Sequence, residues 1–85
     1  MSNFNLKIVS FDETIIDDSI EFCSITTLTG KMGFEARHEP FISILKENSS
    51  ITYRTNDKKE FIVEIVNGLF TFQDGAASAT VFPKK

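Results

Sequence analysis

Hydrophobic and polar positions alternate with a period of two along most of the chain. In "FNLKIVS", Phe4, Leu6 and Ile8 share one face and Asn5, Lys7 and Val9 the other, the signature of a half-buried strand. Asp12-Glu13 interrupts it. "TII" then opens a short second strand that Asp17-Asp18 should end, because adjacent carboxylates on a strand point to opposite faces and suit a solvated turn. In "SIEFCSITTLT", Ile20 and Phe22 have one parity, Cys23 and Ile25 the other, so a bulge is expected between them.

The second half repeats the theme. "FISILK" fits a strand or a single helical turn, and "ENSS" reads as a turn. "ITYRT" and "EFIVEIV" are β-branched and aromatic runs joined by "NDKK", the clearest hairpin in the chain. Asn67-Gly68 marks a tight turn or bulge, "DGAAS" another turn, and "ATVFPKK" a last strand stopped by Pro83. Turn signals recur every 8–12 residues or so, with no long helical pattern. The expectation is one all-β domain over residues 1–85, an antiparallel sandwich or barrel.

Composition sharpens this. Nine phenylalanines in 85 residues supply a compact β core. The net charge of −3 and scattered basic residues, paired only at Lys58-Lys59 and Lys84-Lys85, argue against nucleic acid as a partner. The single cysteine, Cys23, excludes an internal disulfide and reads as a buried, inert thiol. No basic-then-apolar leader opens the chain, and no apolar run reaches the roughly 20 residues of a membrane span. A cytosolic chain without direct membrane insertion is expected.

Candidate chemistry concentrates in "GKMGFEARHEPF", residues 30–41. His38 with Glu35 and Glu39 is the only cluster of ligand-type side chains. A metal would need three or four converging ligands, and Pro40 blocks a helical arrangement. "GKMG" lacks the length and the Lys-Ser/Thr ending of a phosphate loop. No nucleophile is paired with the one histidine, so neither a catalytic site nor a cofactor is expected. A solvent-exposed connection would explain the glycines. Against it stand Met32 and Phe34, which would suit anchors buried against a partner.

Three segments together carry a family resemblance: "LKIVS", "GKMGFEARHEPFISILK" and "EFIVEIVNGLFTFQDG". In order and spacing they resemble the N-terminal domain of the epsilon subunit of F-type (rotary) ATP synthases, over roughly residues 4–82. The most specific element is Gly-x-x-Gly-Phe followed by His38-x-Pro40 and an apolar segment. The resemblance implies a flattened antiparallel β-sandwich of about ten short strands at the foot of the central rotor stalk. It implies a non-catalytic subunit that couples proton-driven rotation to ATP synthesis, peripheral on the cytoplasmic face of the energy-transducing membrane. Its implied partners are the gamma subunit, through Ser10, His38, Pro40, Phe41 and Ile42, and the c-ring, through Gly30, Lys31, Met32, Gly33 and Phe34.

Three departures qualify the match. Lys31 stands where the family usually carries an acidic residue, which asks for a compensating partner charge. Ala36 and Arg37 fall in a turn that proline normally stiffens in the family. The chain stops at Lys85, so the resemblance implies a coupling subunit without the C-terminal helical hairpin, hence without that hairpin's inhibition of hydrolysis or its ATP site. The alternative from another class is a free-standing β-sandwich adaptor that grips a protein through the 30–41 loop.

Overall fold

The computed structural model describes residues 3–84. Lys85, read above as half of a basic pair and as the chain end, lies outside them, as do Met1 and Ser2. Seven strands follow in order: β1 (Phe4–Val9), β2 (Thr14–Thr27), β3 (Gly30–Phe34), β4 (Phe41–Leu45), β5 (Ser49–Thr55), β6 (Glu60–Gln73) and β7 (Ala76–Pro83). The body measures 33 × 24 × 19 Å, the flattened shape expected.

Two long strands, β2 and β6, each bend and serve in both layers. The first half of β2 pairs with β1 and its second half with β3 and β5. The first half of β6 pairs with β5 and its second half with β4 and β7. One layer is therefore β3-β2-β5-β6, the other β2-β1-β7-β6-β4. The expectation of about ten short strands counts such bent strands in pieces, because charged or glycine-containing bends look like ends in sequence. Asp17 and Asp18 accordingly lie within β2, opposite Lys7 and Leu6 of β1, and not in a turn. Asp17 accepts a hydrogen bond from the Asn5 side-chain amide at 3.0 Å.

The bends sit at bulges. The expected bulge is present, but the β2–β5 register shifts between Ile20 and Phe22, one step before the Phe22–Cys23 parity change. The β6–β7 register shifts between Ile65 and Asn67, beside Asn67-Gly68. One pair departs from the antiparallel expectation: β1 runs parallel to β7. No tight turn joins those two strands, and alternation alone carries no strand direction.

The expected hairpins form. Asp74 and Gly75 take φ of 53° and 74° between paired Gln73 and Ala76, a two-residue turn with both central residues left-handed. "FISILK" resolves as strand β4. Phe4, Leu6 and Ile8 all point inward and join Ile20, Cys23, Ile25, Phe34, Leu45, Ile51, Ile65, Phe70, Phe72 and Val81 in one core. No buried side-chain nitrogen or oxygen lacks a hydrogen-bond partner among the described residues, so the core incurs no large polar penalty.

Candidate functional site

β3 is an edge strand paired only with β2, while β4 pairs along its length with β6 and meets β2 only at Leu45–Thr27; residues 35–40 join the two across the seam between the layers. Aromatic rings close this seam. Phe34 is fully buried, with ring centroids 4.8 Å from Phe70 and 5.8 Å from Phe72. The half-buried His38 ring lies 4.3 Å from Phe34 and 5.7 Å from Phe72. Phe41 packs 5.5 Å from Phe34. His38 Nδ1 sits 2.7 Å from the Glu39 carbonyl oxygen, which fixes the ring. Its backbone N–H donates to Glu35 at 3.0 Å, closing the turn that lacks a proline. His38 is thus a lid on the core.

This corrects one expectation. Phe34 cannot anchor a partner, because a fully buried ring offers no surface; its alternation with exposed Gly33 points it inward. Met32 is half-buried against the same core. Gly33 does not serve loop flexibility either: a Cβ there would lie 2.8 Å from the Phe22 ring, so glycine makes room for that ring. Phe22 also receives the Arg54 guanidinium over its ring, 5.2 Å from the centroid. Arg54 also donates to Glu21 at 2.5 Å, and Lys58 donates to Glu21 at 2.8 Å. These two cations hold the Glu21 carboxyl below the ordinary carboxylate range, Lys58 more than Arg54.

The exposed apolar surface lies elsewhere. The outer face of the β2-β1-β7-β6-β4 layer can be read rung by rung from the register. One rung runs Ile44–Leu69–Thr80–Val9, the next Ile42–Thr71–Ser78–Lys7. Beyond the first, Asn67 faces Phe82. Ile42 is 67% exposed, Ile44 63%, Leu69 42% and Phe82 56%. Together they form an apolar tract on a sheet whose neighbours are small: Ser78, Thr80 and Gly68. A hollow is lined by Ile44, Gly68, Leu69, Thr80 and Phe82. Phe82 also borders a second hollow with Ser10, Phe11 and Ile62.

The tract joins the ends of the expected gamma-facing set. Ile42 lies at one end, with Pro40 and Phe41 lining a small recess beside it. Ser10 follows Val9 at the other end and is buried. Its hydroxyl donates to Asp12 at 2.9 Å and its N–H to the Glu13 carbonyl at 2.8 Å. Ser10 therefore builds the β1–β2 turn and presents Phe11, 85% exposed. Ile44, Leu69, Phe82 and Phe11 were missed in the sequence. Only knowing which parity of β4, β6 and β7 faces out would have found the first three, and Phe11 sits in the β1–β2 turn, where alternation gives no signal.

The expected ring-facing residues, Gly30–Phe34, make up strand β3. Gly30 has φ of +128°, and Gly30, Lys31 and Gly33 are exposed. Among the described residues no three His, Cys, Asp or Glu side chains converge. No helix of the structure is long and apolar enough to cross a membrane.

Residues 3–81 match the family described as the ATP synthase Delta/Epsilon chain, beta-sandwich domain. Curated relatives include the ATP synthase epsilon chains of two Neisseria meningitidis serogroup C strains. Each is 26% identical over 73 residues, covering 86% of this chain and 52% of the relative. The chain thus spans about half the length of the curated relatives it matches. A chain in the Euglena gracilis mitochondrial ATP synthase structure (OSCP/F1/c-ring) superposes with a TM-score of 0.87 at 22% identity, over 98% of this chain and 54% of that one. A chain in the central stalk/c-ring structure of the Tetrahymena thermophila enzyme gives 0.77 at 7% identity, over 92% and 62%. At those identities the likeness is one of fold.

Proposed function

Since the chain belongs to the ATP synthase delta/epsilon-chain β-sandwich family, we propose that it works as a non-catalytic stalk subunit at the foot of a rotary ATP synthase rotor. It binds the gamma subunit with the outer face of the β2-β1-β7-β6-β4 layer and rests on the c-ring with the β2–β3 end. In this way it couples proton-driven rotation to ATP synthesis from a position peripheral to the membrane sector, on its cytoplasmic face.

One observation supports this above the others: the apolar tract Ile42–Ile44–Leu69–Phe82 connects Ile42 to the Ser10 turn on one face. Fully covering a side chain of this size stabilises a complex by about 1.5–3 kcal/mol, and a contiguous apolar patch ringed by polar groups is a contact surface. Pro40, Phe41 and Ile42 supply its far margin, with His38 and Phe34 holding that margin in place from beneath. Gly30, Lys31, Met32 and Gly33 form the ring-facing edge.

The test is reconstitution with the gamma subunit and c-ring of the source synthase, followed by size-exclusion chromatography. Near-equimolar co-elution is expected. Elution of the chain alone, in the presence of both, overturns the assignment.

A further inference from the structure

The outer face of the β2-β1-β7-β6-β4 layer is uncovered in the free chain, and its register fixes what a second copy would meet there. A twofold axis laid along the strands, between β6 and β7, turns β4 of one copy over β1 of the other. Ile44 then covers Val9 of the second copy, Leu69 covers Thr80, and Thr71 covers Ser78, each contact being made twice. Phe82 comes down beside Asn67, at the edge of the other copy's hollow. Ile42 falls on Lys7, whose aliphatic stem can lie along it. This is the aligned sheet-on-sheet packing of a sandwich, assembled from two molecules.

An isologous contact needs a patch that complements itself. The outward positions of the paired strands carry Lys7 and Asp17 as their charges, and the axis sets neither against its own image. The corners add attraction. At one end of the face Lys46 follows β4 on one side, and Glu13 stands in the β1–β2 turn on the other. The same axis brings Lys46 over Glu13 of the second copy, and the reverse. Both side chains are exposed and form no ion pair among the described residues. The two longer dimensions of the body, 33 × 24 Å, give a face on the order of 800 Å², about what each partner contributes to a standard-size stable interface.

We infer that the unassembled chain pairs with a second copy of itself through this face, as a twofold dimer that covers the Ile42–Ile44–Leu69–Phe82 tract. The dimer stands on the face alone. That gamma displaces the second copy, so that pairing holds the chain in reserve until it joins the rotor, rests on the assignment proposed above.

The experiment is sedimentation or light scattering of the full chain by itself. The mass should rise with concentration toward twice 9.6 kDa, with a dissociation constant on the order of micromolar, the weak end for a face of this area. Ile44→Asp and Leu69→Asp should each weaken pairing about tenfold or more. Lys46→Glu or Glu13→Lys should weaken it severalfold, and the double variant, which restores the pair with its signs exchanged, should recover most of that loss. Thermal melts of the dilute variants, matching the dilute parent, show that they fold. A mass fixed at 9.6 kDa up to ~1 mM overturns the dimer. A dimer indifferent to Ile44→Asp and Leu69→Asp overturns this face as its seat, and a double variant without recovery overturns the twofold register. Added gamma should dissolve the dimer into one-to-one complexes; a gamma complex retaining two copies overturns the exchange. Gamma that ignores the dilute, monomeric chain overturns the rotor assignment and leaves the dimer standing.

Discussion

His38 packs on Phe34, 4.3 Å between ring centroids, and so joins the loop between β3 and β4 to the centre of the core. Tilted and edge-on ring packing holds the loop to the core. Phe34→Ala should therefore cost about 3–5 kcal/mol in urea unfolding, the range for deleting a buried aromatic. His38→Ala, which uncovers the rings without emptying the core, should cost about 1 kcal/mol. Phe34→Asp should fail to fold in isolation. A folded Phe34→Asp chain would contradict the burial described.

Ile44→Asp and Leu69→Asp probe the outer tract. Their neighbours on the face are exposed, so melting temperature should stay within a few degrees of the parent. Affinity for gamma should fall about tenfold or more in each, read by titration of the labelled chain. Unchanged affinity in both would remove this face from the gamma contact.

Two glycines differ in what surrounds them. A Cβ at Gly68 would sit 2.8 Å from the Thr80 carbonyl oxygen, where backbone must move. At Gly33 it would meet the end of the Phe22 ring, which can swing at the expense of its contact with Arg54. Gly68→Ala should destabilise by about 1–3 kcal/mol, and Gly33→Ala by less, both read from denaturant midpoints.

Much of this architecture was legible in the chain. Phe4, Leu6 and Ile8 alternate cleanly because their strand has one buried face, and Asp74-Gly75 announces its turn because few residue pairs tolerate two left-handed positions. The parity change at Ile20–Cys23 located a bulge. Other features were opaque for physical reasons. Asp17-Asp18 resembled a turn because a strand's outer and terminal positions tolerate charge as readily as loops do. Phe34 resembled a loop anchor because its glycine neighbours hide that β3 is a strand packed over Phe22. The outer tract escaped notice because Ile44 and Leu69 look like core until the register shows which side is covered.

Acid should weaken the fold through Glu21. Its side chain is 7% exposed and clamped by Lys58 and Arg54, so its carboxyl ionises below the ordinary 4.5. A depressed folded value means the unfolded chain binds the proton more tightly. The contribution is thus fully present above the ordinary carboxylate value and is lost as pH falls through the lower, folded one. Glu21→Gln should flatten the loss of stability below about pH 4.5, measured by urea midpoints across pH. An identical acid profile would show that Glu21 is not the responsible group.

Cys23 is fully buried, and burial pushes its thiol up to about 12. Labelling by a thiol reagent at neutral pH should proceed only through opening of the sandwich and should accelerate in step with urea-induced unfolding. Rapid labelling of the native chain would place Cys23 at a mobile edge.

The bent strands bear on how force passes through the molecule. β2 starts at Thr14 in the layer it shares with β1, opposite Val9, crosses at the Ile20–Phe22 bulge, and ends in the other layer at Thr27, next to Leu28. β6 makes the converse crossing between its pairings with β5 and β7. Two separate stacked sheets could shear across a greasy interface, but here covalent backbone runs through both. A sideways load applied at the Leu28 tip reaches the Ile44–Leu69 face along peptide bonds and hydrogen-bonded ladders, without relying on side-chain friction. The sandwich is built to twist as one stiff piece.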